Sequence, residues 1–522
     1  MRKNFKITII TCLLSLIAAP FLTSCSDFFE PEQEHAVNKD DRYKSLFDIQ
    51  TGVLGAYSKL RNVAEQTIIL GDLRADLLQV SENYDADLSE LDKVTVTKGN
   101  RFVDSRGFYD IIRNCNDMIA NMDGVMKKDA AFTEVVRDAH KAEMITLRSW
   151  AYLQLIRMYK EVPVTNHELD QVYEGEEIYE MYDRSRMLNW LAERMNWAIQ
   201  QESLNYSNFE GTLWRKQFVN RKNLLGEIAL ELGAYGDAVN LFIDTIVNFG
   251  GGQNNSDLKC EGFTGDDWEE TWSTSTSNYS EKLSYIPFRK SNKQQNDLEM
   301  YFSSKGKGKY LLRPTDRVIE LWKAQVRKDG SLGDLKRGLG GSFTSSEFDA
   351  DKKVYIDPEV SKYQFDKKPF ESDAQVTIYT ASDVHLMLAE ALNRNGEHRR
   401  ALGVVNNNAD NVTGIDKSAG IRGRVGLENI DLLKFTGLDK ATQLDSMLVI
   451  EDVIVRERAL ELAFQGRRWY DLMRVARRRN DPDFLAKRVA EQLGDEGEAL
   501  RQRLRNSDNW YLPFDMYANQ GN

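Results

Sequence analysis

Apolar residues recur at intervals of three and four along most of this chain, the spacing that places them on one face of a helix. Met144, Leu147, Ala151, Leu155 and Met158 form one such stripe and predict a helix that ends by Pro163, because proline removes a backbone donor and clashes with the preceding turn. Leu224 to Leu232 and Ala238 to Phe242, separated by a turn at Gly233 to Asp237, read as a helical hairpin. Within it Leu225, Gly226, Ala238 and Phe242 keep the offsets of a tetratricopeptide unit, where small residues let two helices approach and an aromatic fills the gap. A further hairpin repeats the spacing with Leu388, Ala389, Ala401 and Val405 around a turn at Asn395-Gly396-Glu397. The two lie too far apart for a solenoid of fixed period. The expected fold is therefore mostly α, an irregular tetratricopeptide-like scaffold of helical hairpins with loop-rich insertions. A last helical unit runs from Met447 to Arg479, with Val449, Val453, Leu460 and Phe464 on one face and Gly466 interrupting it before Trp469, Tyr470 and Leu472.

The start of the chain follows different rules. Arg2, Lys3 and Lys6 precede an apolar run from Ile7 to Leu22, shorter than the roughly 20 residues a membrane-spanning helix needs. It reads as a secretory signal. Leu22-Thr23-Ser24-Cys25 looks like the bacterial lipobox, in which the cysteine is cleaved on its amino side and acylated. The expected organisation is a signal peptide over 1–24, a lipidated tether over 25–40 starting at Cys25, and one domain over 41–522. Within that domain the loop-rich, ligand-binding insertion is placed at about 250–380.

Composition narrows the function classes. The chain has 522 residues, is 41% hydrophobic, and carries a formal net charge of −12, which argues against nucleic acid as a partner. Six Arg and one Asp fall between Arg467 and Arg479; in so acidic a chain they read as a cationic helix end paired with nearby carboxylates rather than an anion patch. Of the 4 cysteines, Cys12 leaves with the signal, Cys25 carries lipid, and Cys115 in its apolar setting reads as a buried free thiol. The 5 histidines include no pair at i and i+4, and no Cys-x-x-Cys occurs, so neither a metal nor a cofactor is expected. Gly-x-Ser-x-Gly, the phosphate-loop motif and His-Glu-x-x-His are missing from the sequence, which points away from common enzymes.

Between the two hairpins the chain becomes rich in rings. Phe263, Trp268, Trp272, Tyr279, Tyr285, Phe288, Tyr301, Phe302, Tyr310 and Trp322 are interleaved with Ser, Thr, Asn, Gln and Lys, with no sustained helical spacing before Pro314. Rings on loops amid hydrogen-bonding side chains suit sugars, whose apolar C–H face stacks on an aromatic while the hydroxyls take donors and acceptors. Trp268, Trp272, Tyr279 and Tyr285 are the ring candidates, with Arg289 as a hydroxyl donor. Trp322 follows a helix start at Thr315 and reads as core.

Glu457-Arg458-Ala459-Leu460-Glu461-Leu462-Ala463-Phe464-Gln465-Gly466-Arg467-Arg468-Trp469-Tyr470-Asp471-Leu472 and Asp383 to Asn393 resemble the signature segments of the SusD/RagB family of surface lipoproteins from the Bacteroidetes envelope. Gly55-Ala56-Tyr57, Tyr109 with Asn114-Cys115-Asn116, Pro314-Thr315-Asp316 and Tyr511-Leu512-Pro513 follow in family order. Gln465 and Arg467 depart from the Glu and His often found there. The resemblance implies a non-catalytic glycan-binding protein, anchored by lipid in the outer membrane, with a SusC-like TonB-dependent porin as partner and an oligosaccharide as ligand. It also points to Asn83 and Tyr84, which follow a stretch from Leu73 to Val80 read as helical and correspond in order to a ligand region of the family. Alternatives are a peptide-binding uptake lipoprotein and a scaffold-only subunit of the transporter complex.

Overall fold

Seven helix starts in this protein are set by short polar side chains. In the computed structural model, Ser45, Asp85, Thr133, Asp183, Asn220, Thr315 and Thr380 each accept a backbone N–H from the first turn of a helix, satisfying donors that have no intrahelical partner. The structure describes residues 42–167, 179–204, 212–249, 268, 281–288, 292–306, 308–363, 375–415, 418–431 and 443–514. Ser45 to Asn522 cluster as one unit.

The first helices are α1 (Leu46–Ser58), α2 (Arg61–Asp72), α3 (Ala86–Asp92), α4 (Arg106–Lys128), α5 (Glu134–Met158), α6 (Arg184–Ala198), α7 (Arg221–Leu232) and α8 (Tyr235–Asn248). They are followed by α9 (Leu298–Phe302), α10 (Asp316–Lys323), α11 (Ala381–Arg394), α12 (His398–Val405), α13 (Ala409–Thr413), α14 (Gln443–Glu461), α15 (Arg468–Arg479), α16 (Asp483–Ala490) and α17 (Gly497–Leu504). α4 pairs with α5, α6 packs on α5 and α7, α7 pairs with α8, and α11 packs on α8, α12 and α14. This stack of hairpins is the expected tetratricopeptide-like scaffold.

Strands are short, and two of their pairs join segments that lie far apart in the chain. Among the described residues they form two-stranded antiparallel pairs. β1 (Leu78–Val80) pairs with Leu312–Pro314, aligning Leu78 with Pro314 and Val80 with Leu312. β2 (Lys282–Ile286) pairs with Val376–Thr380. The stretch from Leu73 to Val80, expected as helix, is instead a tight turn leading into β1; its apolar Leu77 and Leu78 are buried through pairing with a distant strand.

Two glycines fix the closest approaches. A Cβ on Gly226 would sit 2.7 Å from the Phe242 ring, so α7 and α8 meet at the distance their spacing implied. Gly466, at φ +75°, would place a Cβ 2.4 Å from the Thr67 carbonyl oxygen. The backbone turn between α14 and α15 therefore presses directly on α2, and Asp72 accepts from Gly466 N (3.0 Å) and Arg468 N (3.1 Å).

The scaffold is charged in its interior. Arg337 meets Asp334 at 2.5 Å, Glu457 at 3.1 Å and Glu461 at 3.0 Å, all buried. Arg458 bridges Asp471 and Asp383, Arg468 meets Asp76 at 2.6 Å, and Arg474 meets Glu390 at 2.8 Å. Arg478 and Arg479 reach Glu451. The arginine-rich run from Arg467 is thus paired inward, as the acidic balance of the chain suggested. Burial pushes the Glu227 carboxyl up, but Arg157 and Arg467 outweigh it and bring its pKa down to about 2. Gln465 accepts from Thr377 Oγ1 at 3.2 Å and Arg467 meets Asp383 at 3.0 Å, so both departures from the family pattern sit inside this frame. Cys115 is a free buried thiol, its pKa pushed up to about 12 by burial.

The ring-rich insertion does not form an exposed aromatic loop among its described residues. Phe288, Phe302, Tyr310 and Trp322 are buried, with Phe302 stacked on Tyr363 at 5.8 Å and Trp322 on Phe343 at 5.7 Å. Every residue of β2 is buried, which explains why a mixed polar and aromatic strand gave no outward signal: neither of its faces meets water.

Candidate functional site

Of the seven candidate contact residues, Asn83 and Tyr84 stand at the surface. They follow β1 in the link to α3. That link is pinned against the return from α9 to the partner strand: Ser81 N donates to Leu311 O at 2.9 Å and the Ser81 hydroxyl to Tyr310 O. Asn83 Nδ2 donates to Lys309 O at 3.0 Å and to Tyr310 O at 3.2 Å. Its amide hydrogens are thus engaged inward. Oδ1 is left to accept from a ligand. Tyr84 is 81% exposed, a large ring held on an ordered link with no packing reason to be there.

Charge around this rim is held in place by ion pairs. Arg101 forms a two-pronged bond to Asp85, 2.9 Å on each side, and reaches Asp87 at 2.7 Å. Burial pushes the Asp85 carboxyl up, but the Arg101 bonds and the Leu88 N–H together outweigh it and hold the pKa below the usual range. Tyr301 on α9 is half-buried beside Arg101; burial raises its phenol pKa, with the Glu65 charge adding to the rise. Glu65 accepts from Asp297 N at 2.7 Å. The surface therefore offers one open ring, one amide acceptor, an anchored guanidinium and a phenol: stacking and hydrogen bonding. Tyr301 and Arg101 escaped sequence reasoning because only the pairing of β1 with Leu312–Pro314 brings α9 beside the start of α3.

The other candidates separate into two groups. Trp268 is only 4% exposed and Tyr285 only 6%. Lys362 Nζ lies over the Trp268 ring at 5.1 Å and Lys282 Nζ over the Tyr285 ring at 5.5 Å. Both rings are interior, which corrects their reading as exposed sugar platforms: their faces are covered by the protein itself. Trp272, Tyr279, Arg289 and the lipidation candidate Cys25 lie outside the described residues. No set of His, Cys, Asp and Glu among the described residues is arranged to hold a metal ion, and no described helix is long and apolar enough to cross a membrane.

Residues 322–515 match the sequence model of the SusD family. That C-terminal part of the chain is similar to the SusD family. The SusD-like protein P38 of Formosa agariphila is 21% identical to it over 507 residues, covering 91% of this chain and 92% of that relative. Its fold is also that of a SusD superfamily protein from Bacteroides vulgatus, with TM-score 0.67 at 16% identity, covering 88% of this chain and 92% of the other. A laminarin-binding SusD-like protein superposes with TM-score 0.61 at 18% identity, covering 90% and 96%. The matched family region begins at the buried Trp322 on α10 and takes in the charged frame of α14 and α15; the Asn83–Tyr84 rim lies upstream of it.

Proposed function

We propose that this protein is a carbohydrate-binding receptor that holds an oligosaccharide at the rim formed by Asn83, Tyr84, Arg101 and Tyr301 without altering its bonds. The observation that carries the reading is the Tyr84 ring, 81% exposed on a link whose backbone and side chains are tied down on both sides. A pyranose stacks on such a ring, and each aromatic contact contributes about 0.5–1.5 kcal/mol beyond burial. A few contacts of that size give roughly millimolar to micromolar affinity, suited to capture followed by release. A structural relative that binds laminarin supports a glycan as the class of ligand. In this reading acyl chains on Cys25 tether the protein to the outer membrane, residues 25–40 space it from the lipid, and the cargo passes to a SusC-like TonB-dependent porin. Stable attachment by lipid needs more than one chain, which triacylation of Cys25 supplies.

The test is a panel of oligosaccharides beside a panel of peptides, titrated against the full-length protein and its Tyr84→Ala and Asn83→Ala variants. Saturable binding of a glycan, weakened in both variants and leaving the glycan intact by chromatography, supports the proposal. Binding of peptides alone, hydrolysis of the bound glycan, or full affinity in both variants overturns it. Cys25→Ser should move the protein from the membrane fraction to the soluble one.

A further inference from the structure

A buried arginine elsewhere in the fold lacks the carboxylate that its counterparts have. Arg74, in the turn after α2, is 0% exposed. Its Nη2 donates to Trp510 O and its guanidinium stacks over Trp469 at 4.2 Å. Nε and Nη1 meet no acceptor. Arg337, Arg458, Arg468 and Arg474 are buried as deeply and each meets a carboxylate. A buried cation without an opposite charge is costly, and burial alone draws the Arg74 pKa down to about 10.

Arg74 lines the floor of a cleft of about 470 Å³. Lys160 and Arg503 line it as well, with Asp508, Asn509 and Tyr511. Arg503 donates through Nη2 to Lys93 O (2.6 Å) and Val94 O (2.8 Å), and its buried Nε also meets no acceptor. Lys160 and Asp508 pair at 2.9 Å, but both side chains are 60% exposed, so that bond is weak and open to competition. The cleft thus carries three cations and one carboxylate, two of the cations with N–H groups unused. Asn509 and the half-buried Tyr511 add an amide and a ring beside them.

From this juxtaposition we infer that the cleft is a second ligand site, for a carboxylate. The carboxylate binds at the mouth between Lys160 and Arg503, displacing Asp508 from Lys160, above the positive charge of Arg74. The same group is supplied by a sugar acid or by a small free acid, and the cleft is large enough for either. It shares no residue with the rim at Asn83 and Tyr84.

Calorimetric titration of the full-length protein with sodium galacturonate, sodium acetate and galactose tests the inference at low ionic strength. In the Tyr84→Ala variant, whose rim lacks its ring, at least one of the two acids should bind saturably while galactose does not. Acetate and galacturonate of equal affinity identify the free carboxylate as sufficient; galacturonate alone identifies a sugar acid. Lys160→Glu, on the surface, should weaken binding roughly tenfold or more, and Arg74→Met should do the same. Tyr84→Ala should leave it unchanged, so failure of the rim as a glycan site and failure of this cleft are read separately. Absence of binding by both acids, equal binding of galactose, or unchanged affinity in Lys160→Glu overturns the inference. If Arg74→Met does not fold, Lys160→Glu decides.

Discussion

The frame around α14 and α15 and the rim at Asn83 and Tyr84 both gather polar side chains from distant parts of the chain, and they use them in opposite ways. In the frame, Arg337, Glu457, Glu461 and Arg468 are buried and each meets an opposite charge. Their hydrogen-bonding capacity is turned inward, so they fix how helices pack. At the rim, Asn83 uses its amide hydrogens on Lys309 and Tyr310 carbonyls and turns the rest of the group outward beside an open ring. Polar residues are dense in both regions. What separates the scaffold from the proposed site is whether the fold supplies their partners.

That contrast is broken most strongly by removing one ion from the frame. Arg337→Ala leaves three carboxylates buried with less charge compensation and should cost about 3–5 kcal/mol of stability, read by urea unfolding. Acidification attacks the same frame. Because the folded Glu227 carboxyl has its pKa near 2, below its unfolded value, its contribution is fully present above about pH 5 and is lost as pH falls toward 2. Unfolding free energy at pH 3 should therefore lie on the order of 2 kcal/mol below that at pH 7 from this group alone. Gly466→Ala forces a side chain into a left-handed turn and into the Thr67 carbonyl, and should cost roughly 2 kcal/mol, read as a lower urea midpoint at constant slope. Tyr84→Ala is the opposite case: stability should change by less than about 0.5 kcal/mol, while glycan affinity should fall about two- to tenfold. A Tyr84→Ala variant that unfolds readily would place that ring in the scaffold and erase the distinction.

The fold was legible where chemistry is local. Leu225, Gly226, Ala238 and Phe242 announce a close helical pair at their spacing, and the structure puts Gly226 against Phe242. Gly466 marked the break between two helices because only glycine takes that turn readily. Of the candidate contact residues, Asn83 and Tyr84 keep the surface position that a contact needs. Trp268 and Tyr285 misled because a ring among polar residues looks the same whether it faces water or a second strand; β2 is covered on both sides by segments remote in sequence. Arg101 carried no local mark and Tyr301 stood out only as one ring among the ten of its segment, since their proximity is created by the pairing of Leu78–Val80 with Leu312–Pro314. Arg74 was equally silent: its neighbours Asp72 and Asp76 suggest a local pair, yet both turn to Arg468 or its backbone.

If the rim holds a sugar as proposed, the orientation of the Asn83 amide selects among sugars that look alike to an aromatic ring. With both hydrogens held by the chain behind it, this side chain asks its guest for a proton donor at that position. An O-methylated sugar keeps the apolar face that suits Tyr84 but has nothing to give there, so etherification of a single hydroxyl is enough to turn a good guest into a poor one.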